Sequence, residues 1–242
     1  MKEIIYRLVR RLKRKGFLGH GLLNLMYYDP ATVVMHMDNL DYVVVDDCKF
    51  YVSDQIDSIQ RVNGNAWFDN VEPTDTVVDI GANIGAITIP LAKVARKVYA
   101  VEPLFVKELN RNIRLNELDN VTILPVGIGC KAIDMEFEFS SAKGKANCMN
   151  FEELKHLTGQ IDFIKIDCEG CEWSIEPKQL AGIREIRIEF HFRRGHKQDD
   201  LAKYERWVEW LNHNNYKYSV DSMKIPPCIP FFDYLLVNAS KR

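Results

Sequence analysis

From Thr74 onward the chain alternates short runs rich in Val and Ile with helix-like segments, and this alternation constrains the fold more than any other feature. The strand-like runs are residues 77–80, 97–101, 121–125, 163–167 and 185–190. Residues 104–115 lie between two of them, with Phe105, Leu109 and Ile113 at the four-residue spacing of a helix face. Strands joined through helices call for parallel neighbours and right-handed crossovers, so an α/β, Rossmann-like sheet is expected. Residues 216–220 and 234–237 add two late strands, and residues 133–139 alternate like an extra strand or hairpin before the fourth core strand. With 242 residues, 47% of them hydrophobic, the chain can bury one sizeable core.

The first seventy residues follow a different pattern. Residues 2–15 read as a basic amphipathic helix with Ile4, Ile5, Leu8 and Leu12 on one face. A terminal helix packed on the domain is the plain reading; contact with a membrane surface is the sharper one. Gly16, Gly19 and Gly21 suggest a hinge, residues 33–52 a β-hairpin turning at Asp46-Asp47, and residues 54–70 a helix carrying Trp67 and Phe68. We therefore divide the chain into an N-terminal extension (1–70) and a main domain (71–242). No apolar run approaches a membrane span and no signal peptide is recognisable, so a cytoplasmic protein is expected, with peripheral membrane contact as the alternative. The 32 basic and 34 acidic residues give no global nucleic-acid signal. Of six cysteines, only Cys168 and Cys171 form a CxxC pair, and these are expected to be reduced thiols.

The strongest motif is Asp79-Ile-Gly81-Ala82-Asn83-Ile-Gly85, between a strand and a helix. Ligands of open α/β sheets bind at the carboxyl ends of strands. Gly81 permits a sharp turn close to a ligand, and Gly85 lets the helix begin close by. The next strand ends in Glu102, where a carboxylate can accept hydrogen bonds from ribose hydroxyls. A dinucleotide fingerprint would need a second glycine where Asn83 stands. Asp79 suits a cationic ligand. The set Asp79, Gly81, Ala82, Asn83, Gly85 and Glu102 is thus expected to bind S-adenosylmethionine. Pro90 falls inside the following helix and should kink its first turns.

The second informative run is residues 161–173, IDFIKIDCEGCEW. Strand periodicity puts Lys165 and Asp167 on one face, and Glu189 and His191 on one face of the next strand. Ionisable groups in the middle of a parallel sheet cost energy unless paired or hydrated. They are either structural ion pairs, such as Lys165 with Asp167 or Glu169, or an acceptor site beside the donor. On the second reading Asp167, Glu169, His191 and Lys165 are the catalytic candidates, with His191 the best single base by its ordinary pKa. A metal held by Asp167, Glu169, Glu189 and His191 is chemically feasible, but none is assigned.

These motifs resemble the FkbM family of methyltransferases over residues 71–237, carried by VVDIGANIGAIT (77–88), VYAVEP (98–103), IDFIKIDCEGCEW (161–173) and IEFH (188–191). The resemblance implies a class I methyltransferase fold, with a mostly parallel seven-stranded sheet whose last strand is antiparallel. It implies S-adenosylmethionine as cofactor and O-methylation of a sugar or glycan hydroxyl. Residues 77–121 alone also resemble archaeal tRNA guanine methyltransferases, which makes RNA methylation the alternative. A non-enzymatic membrane-surface module is the third reading. The expected partner is a small-molecule or glycan acceptor rather than nucleic acid. Arg193, Arg194 and Lys197, in an expected loop, suggest that it is anionic. The oligomeric state stays open.

Overall fold

The computed structural model describes residues 33–37, 41–51, 67–129, 135–139, 142–193, 197–222 and 232–241. Its centre is a seven-stranded sheet. The strands that build it are β4 (Thr76–Ile80), β5 (Lys97–Val101), β6 (Val121–Leu124), β11 (Phe163–Ile166), β12 (Glu185–Arg193), β13 (Lys217–Ser222) and β14 (Phe232–Ser240), in the order β13-β14-β12-β11-β4-β5-β6. β4, β5, β6, β11 and β12 pair in parallel, whereas β14 runs antiparallel to both β12 and β13. This is the parallel α/β sheet that the alternation calls for, and its reversed last strand is the class I methyltransferase feature that the family resemblance implies. The order changes direction between β4 and β11, and the crevice above their carboxyl ends is where such sheets bind ligands.

Both faces of the sheet are covered, which explains why its strands read as continuous apolar runs. On one face Val77, Val98 and Phe163 share a core with Ile89 and Leu91 of helix α1 (Thr88–Ala92). On the other, Val78, Ile80, Ile164, Ile186 and Phe190 pack with Phe151 and Leu154 of α3 (Phe151–Thr158) and Trp207 and Leu211 of α4 (Lys197–His213). Helix α2 (Val106–Leu115) follows β5 and buries Leu109 and Ile113. α1 is shorter than the alternation suggests. It starts only at Thr88, so Pro90 lies in its first turn, where a missing N–H costs little, and not in a helix interior that it would kink.

The hairpin expected at residues 33–52 is a three-stranded meander: β1 (Val33–Met37), β2 (Asp41–Val45) and β3 (Cys48–Tyr51). Asp46 and Asp47 turn it with φ of 46° and 60°, the left-handed pair of a tight two-residue hairpin loop. The meander shares the main core through Val45, Cys48 and Phe50. Asparagines of α2 tie down its edge: Asn112 Oδ1 accepts the Tyr51 N–H and Asn116 Oδ1 the Lys49 N–H, both at 2.8 Å. Residues 135–146 form the expected inserted hairpin, β8 (Met135–Phe139) with β9 (Ala142–Ala146), and the two-residue strands β7 (Gly127–Ile128) and β10 (Cys148–Met149) pair beside it. The helices expected at residues 2–15 and 54–70 lie outside the described residues, apart from Trp67–Asn70, which follow as bends and turns. No helix among the described residues is long and apolar enough to cross a membrane.

Candidate active site

The glycine loop leaves β4 and turns back against the loop that leaves β11. Gly81 has φ 78°, and a Cβ there would overlap the carbonyl oxygen of Asp167 and lie 3.3 Å from the Cα of Cys168. The two loops therefore meet backbone to backbone, which only glycine allows. Asn83 also lies in the left-handed region, at φ 50°, a conformation that asparagine tolerates better than most residues. The loop spends its own donors internally. The N–H groups of Gly81 and Ala82 bond to the Val101 carbonyl at 2.9 and 3.1 Å, Gly85 N–H bonds to the Ala82 carbonyl at 2.9 Å, and Asn83 N–H donates to Glu102 Oε2 at 2.8 Å.

That accounting bears on the ligand. A pyrophosphate needs a cradle of free N–H groups, and here four of them are already committed. S-adenosylmethionine makes no such demand. Glu102, buried at the end of β5, also accepts Leu104 N–H and Phe105 N–H on Oε1 at 2.6 and 3.0 Å. Among the described contacts Oε2 carries one donor only, which leaves a lone pair for a ribose hydroxyl. The loop's hydrogen bonding thus fits the methyl donor better than a dinucleotide.

Asp79 stands near the end of β4. It is fully buried beneath the loop; Thr88 Oγ1 donates to its Oδ2 at 2.6 Å, and Lys165 Nζ lies 3.1 Å from Oδ1. The strand register places Lys165 directly opposite Asp79. Lys165 Nζ also donates to the carbonyls of Gly81 (2.8 Å) and Ile80 (3.2 Å), sits 5.8 Å from the Trp67 ring centre, and is 3.8 Å from Asp167. Burial by itself would push Lys165 down, but the charges of Asp79 and Asp167 outweigh it and hold the ammonium above its usual range. Lys165 and Asp79 therefore form the post on which the donor loop rests. The ion pair expected between Lys165 and Asp167 exists, but it is secondary to this one.

His191, on β12, is the hub of the remaining candidates. Its Nε2 lies 3.2 Å from Glu189 Oε1, 3.5 Å from Glu169 Oε2 and 3.7 Å from Asp167 Oδ1. Its Nδ1 faces Glu172 Oε1 at 3.2 Å, and that same oxygen accepts the His191 backbone N–H at 2.8 Å. Burial alone would lower the imidazole, but the hydrogen bonds its ring nitrogens donate to Glu172 and Glu189 and the charges of Glu172 and Asp167 hold it well above its ordinary value. Asp167 and Glu169 lie at the mouth, with side chains 23% and 33% exposed, whereas Glu172 is fully buried. Glu172 escaped the sequence reading. It sits in the quoted IDCEGCEW run, but nothing in its spacing reveals that it clamps a histidine on the next strand.

The connecting loop is tighter than expected. Glu169 (φ 55°) and Gly170 (φ 112°) are both left-handed, and this turn brings the Cα atoms of Cys168 and Cys171 to 5.4 Å. The two cysteines are joined in a disulfide, which corrects the expectation of reduced thiols; the Cα separation falls within the range such a bond requires. Trp173 then donates from Nε1 to the His191 carbonyl at 2.8 Å. The supposed basic exit loop also changes, because β12 continues through Phe192 and Arg193; residues 194–196 lie outside the described residues.

Comparisons with known proteins agree with this geometry. The model of the TRM5/TYW2 methyltransferase domain matches residues 35–147, and a second methyltransferase domain model matches residues 131–225. The Streptococcus mutans protein SMU.1697c, solved in complex with S-adenosylhomocysteine, shares the fold at a TM-score of 0.50 and 12% identity, over 74% of this chain and 97% of that one. The chain carries a class I methyltransferase domain. The matches are to methyltransferases in general, one of them solved with S-adenosylhomocysteine, and the FkbM resemblance reduces to that broader statement. Among curated proteins, "Probable ribosomal RNA small subunit methyltransferase A" of Methanosphaera stadtmanae is 39% identical over 57 residues, which is 23% of this chain and 21% of that protein. An "Uncharacterized RNA methyltransferase" of Bacillus cereus is 31% identical over 108 residues, 40% of this chain and 23% of that one. The chain thus matches less than a quarter of the length of each. Both of these relatives are RNA methyltransferases by name, which overturns the expectation that nucleic acid is excluded as a partner. Balanced global charge does not speak against RNA, since RNA contact needs only a local basic face.

Proposed function

We propose that this chain methylates a nucleotide of transfer or ribosomal RNA. The observation that carries the reading is the TRM5/TYW2 match across residues 35–147, which takes in the meander, the donor loop and α2. A local feature of the same region supports it. Lys107, Arg111 and Arg114 follow helical spacing on the exposed face of α2, and Arg111 stacks 3.5 Å from the Tyr51 ring centre on the meander. Cations beside an aromatic ring suit phosphates and unstacked bases.

When bound, S-adenosylmethionine supplies an electrophilic methyl group on a sulfonium, so the protein's task is mainly alignment. Glu102 and the Gly81–Gly85 turn hold the donor. The Asp79–Lys165 post keeps that turn against the 167–172 loop. Asp167 and Glu169 are placed to accept a proton or a hydrogen bond from the acceptor, and Glu172 and His191 position them.

Purified protein incubated with methyl-labelled donor and separate pools of tRNA, rRNA and cell-wall or lipid-linked glycan tests this reading. Label is expected in a modified nucleoside after nuclease digestion. Label confined to the glycan pool would overturn it.

A further inference from the structure

We propose that Asp167, Glu169, Glu189 and His191 bind a divalent first-row metal ion at the carboxyl ends of β11 and β12. One ligand atom each from Asp167, Glu169 and His191 lies within 4.8 Å of the others. The three carboxylate oxygens stand 3.2, 3.5 and 3.7 Å from His191 Nε2. Two ligand atoms about 2.1 Å from one ion are about 3.0 Å apart at a right angle and about 3.4 Å apart at the tetrahedral angle. The three edges that meet at His191 thus have the lengths of a coordination shell, slightly opened.

Three further features separate it from a chance group of acids. The first is the histidine, a directional ligand whose other nitrogen is held by a fully buried carboxylate. Glu172 Oε1 meets Nδ1 at 3.2 Å and the His191 N–H at 2.8 Å, a carboxylate contact of the kind that fixes the ring of a metal-binding histidine. The second is charge. Asp79 and Asp167 pair with Lys165, and Asp167, Glu169, Glu172 and Glu189 each lie within 3.7 Å of His191, an acidic setting that suits a divalent cation. The third is access: Glu189 and His191 form a buried floor, and Asp167 and Glu169 a half-open mouth beside the Gly81 turn. An imidazole with carboxylates, and no thiolate because Cys168 and Cys171 are bonded to each other, suits Mn2+ or Fe2+. An ion there would face the acceptor side of the donor loop, where it could hold an acceptor oxygen. The site stands whether or not the acceptor is RNA.

Chelator-treated protein titrated with Mn2+, with free ion read by electron paramagnetic resonance, tests the proposal without any acceptor. One Mn2+ per chain is expected. Glu172→Gln should weaken it about 10- to 100-fold, and Asp167→Asn with Glu169→Gln should abolish it. No binding at millimolar Mn2+, or binding unchanged in these variants, overturns the site. If the variants fail to fold, the wild-type chain with labelled histidine decides. Substoichiometric Mn2+ should broaden the His191 ring signals before those of His156 and His213, and equal broadening of all three overturns the proposal.

Discussion

Gly81 shows how much rests on a single missing carbon. Its backbone is left-handed, and any Cβ collides with main-chain atoms of Asp167 and Cys168, which cannot swing aside as a side chain could. Gly81→Ala is expected to lower S-adenosylhomocysteine affinity at least tenfold by calorimetry and to cost about 1–3 kcal/mol from backbone strain alone. Lys165 supplies the complementary case. Lys165→Met strands Asp79 in the core and should destabilise the fold by about 3–5 kcal/mol in a denaturant titration, whereas adding Asp79→Leu should recover a large part of that loss. No recovery in the double variant would mean that the pair contributes nothing beyond its separate packing. The residue types of this site were legible in the sequence. The partners were not, because Asp79 meets Lys165 through strand register and Glu172 meets His191 through the turn after β11, neither of which periodicity alone fixes.

At the level of elements, the turn chemistry and the alternation located most strands and α2, because those features act locally. α1 was misjudged because its start depends on where the glycine loop finishes turning, and that is set by Val101 and Glu102 on the neighbouring strand. The junction between α4 and β13 is also held from outside. Tyr216 is buried there, stacked 5.4 Å from Trp210, and its hydroxyl donates to the Ile183 carbonyl at 2.5 Å. Burial pushes this phenol up to about 12, so the fold prefers the protonated form. An unfolded tyrosine titrates near pH 10, so the contribution is complete below about pH 10 and is lost as pH rises toward 12. Tyr216→Phe should cost about 1 kcal/mol at neutral pH for the lost hydrogen bond. The gap between it and the wild type should shrink as melting is repeated from about pH 9 to about pH 11. A gap that stays constant would show that Tyr216 titrates alike in the folded and unfolded states.

For the whole molecule, the sequence disclosed the donor half and hid the acceptor. A donor loop is recognised by glycines at fixed spacing, whereas an RNA surface is an assembly of exposed side chains from separate elements. Tyr51 on the meander and Arg111 on α2 come together only in the folded chain. Net charge averages over such a face: the chain has 32 basic and 34 acidic residues, although Lys107, Arg111 and Arg114 line up on one exposed helix surface. If that surface carries RNA, each phosphate contact releases counterions, and affinity should fall steeply with salt. Binding to bulk tRNA, measured from about 50 to about 200 mM salt, should therefore give a clear negative slope of log affinity against log salt. Replacing Lys107, Arg111 and Arg114 with Gln should flatten that slope by roughly two to three contacts and weaken binding about uniformly across RNA sequences. S-adenosylhomocysteine affinity should stay unchanged, because Glu102 and the glycine turn are untouched. An unchanged slope with intact methylation of RNA would move the RNA surface elsewhere on the chain. The same unchanged slope without any RNA methylation would remove the physical support for an RNA acceptor.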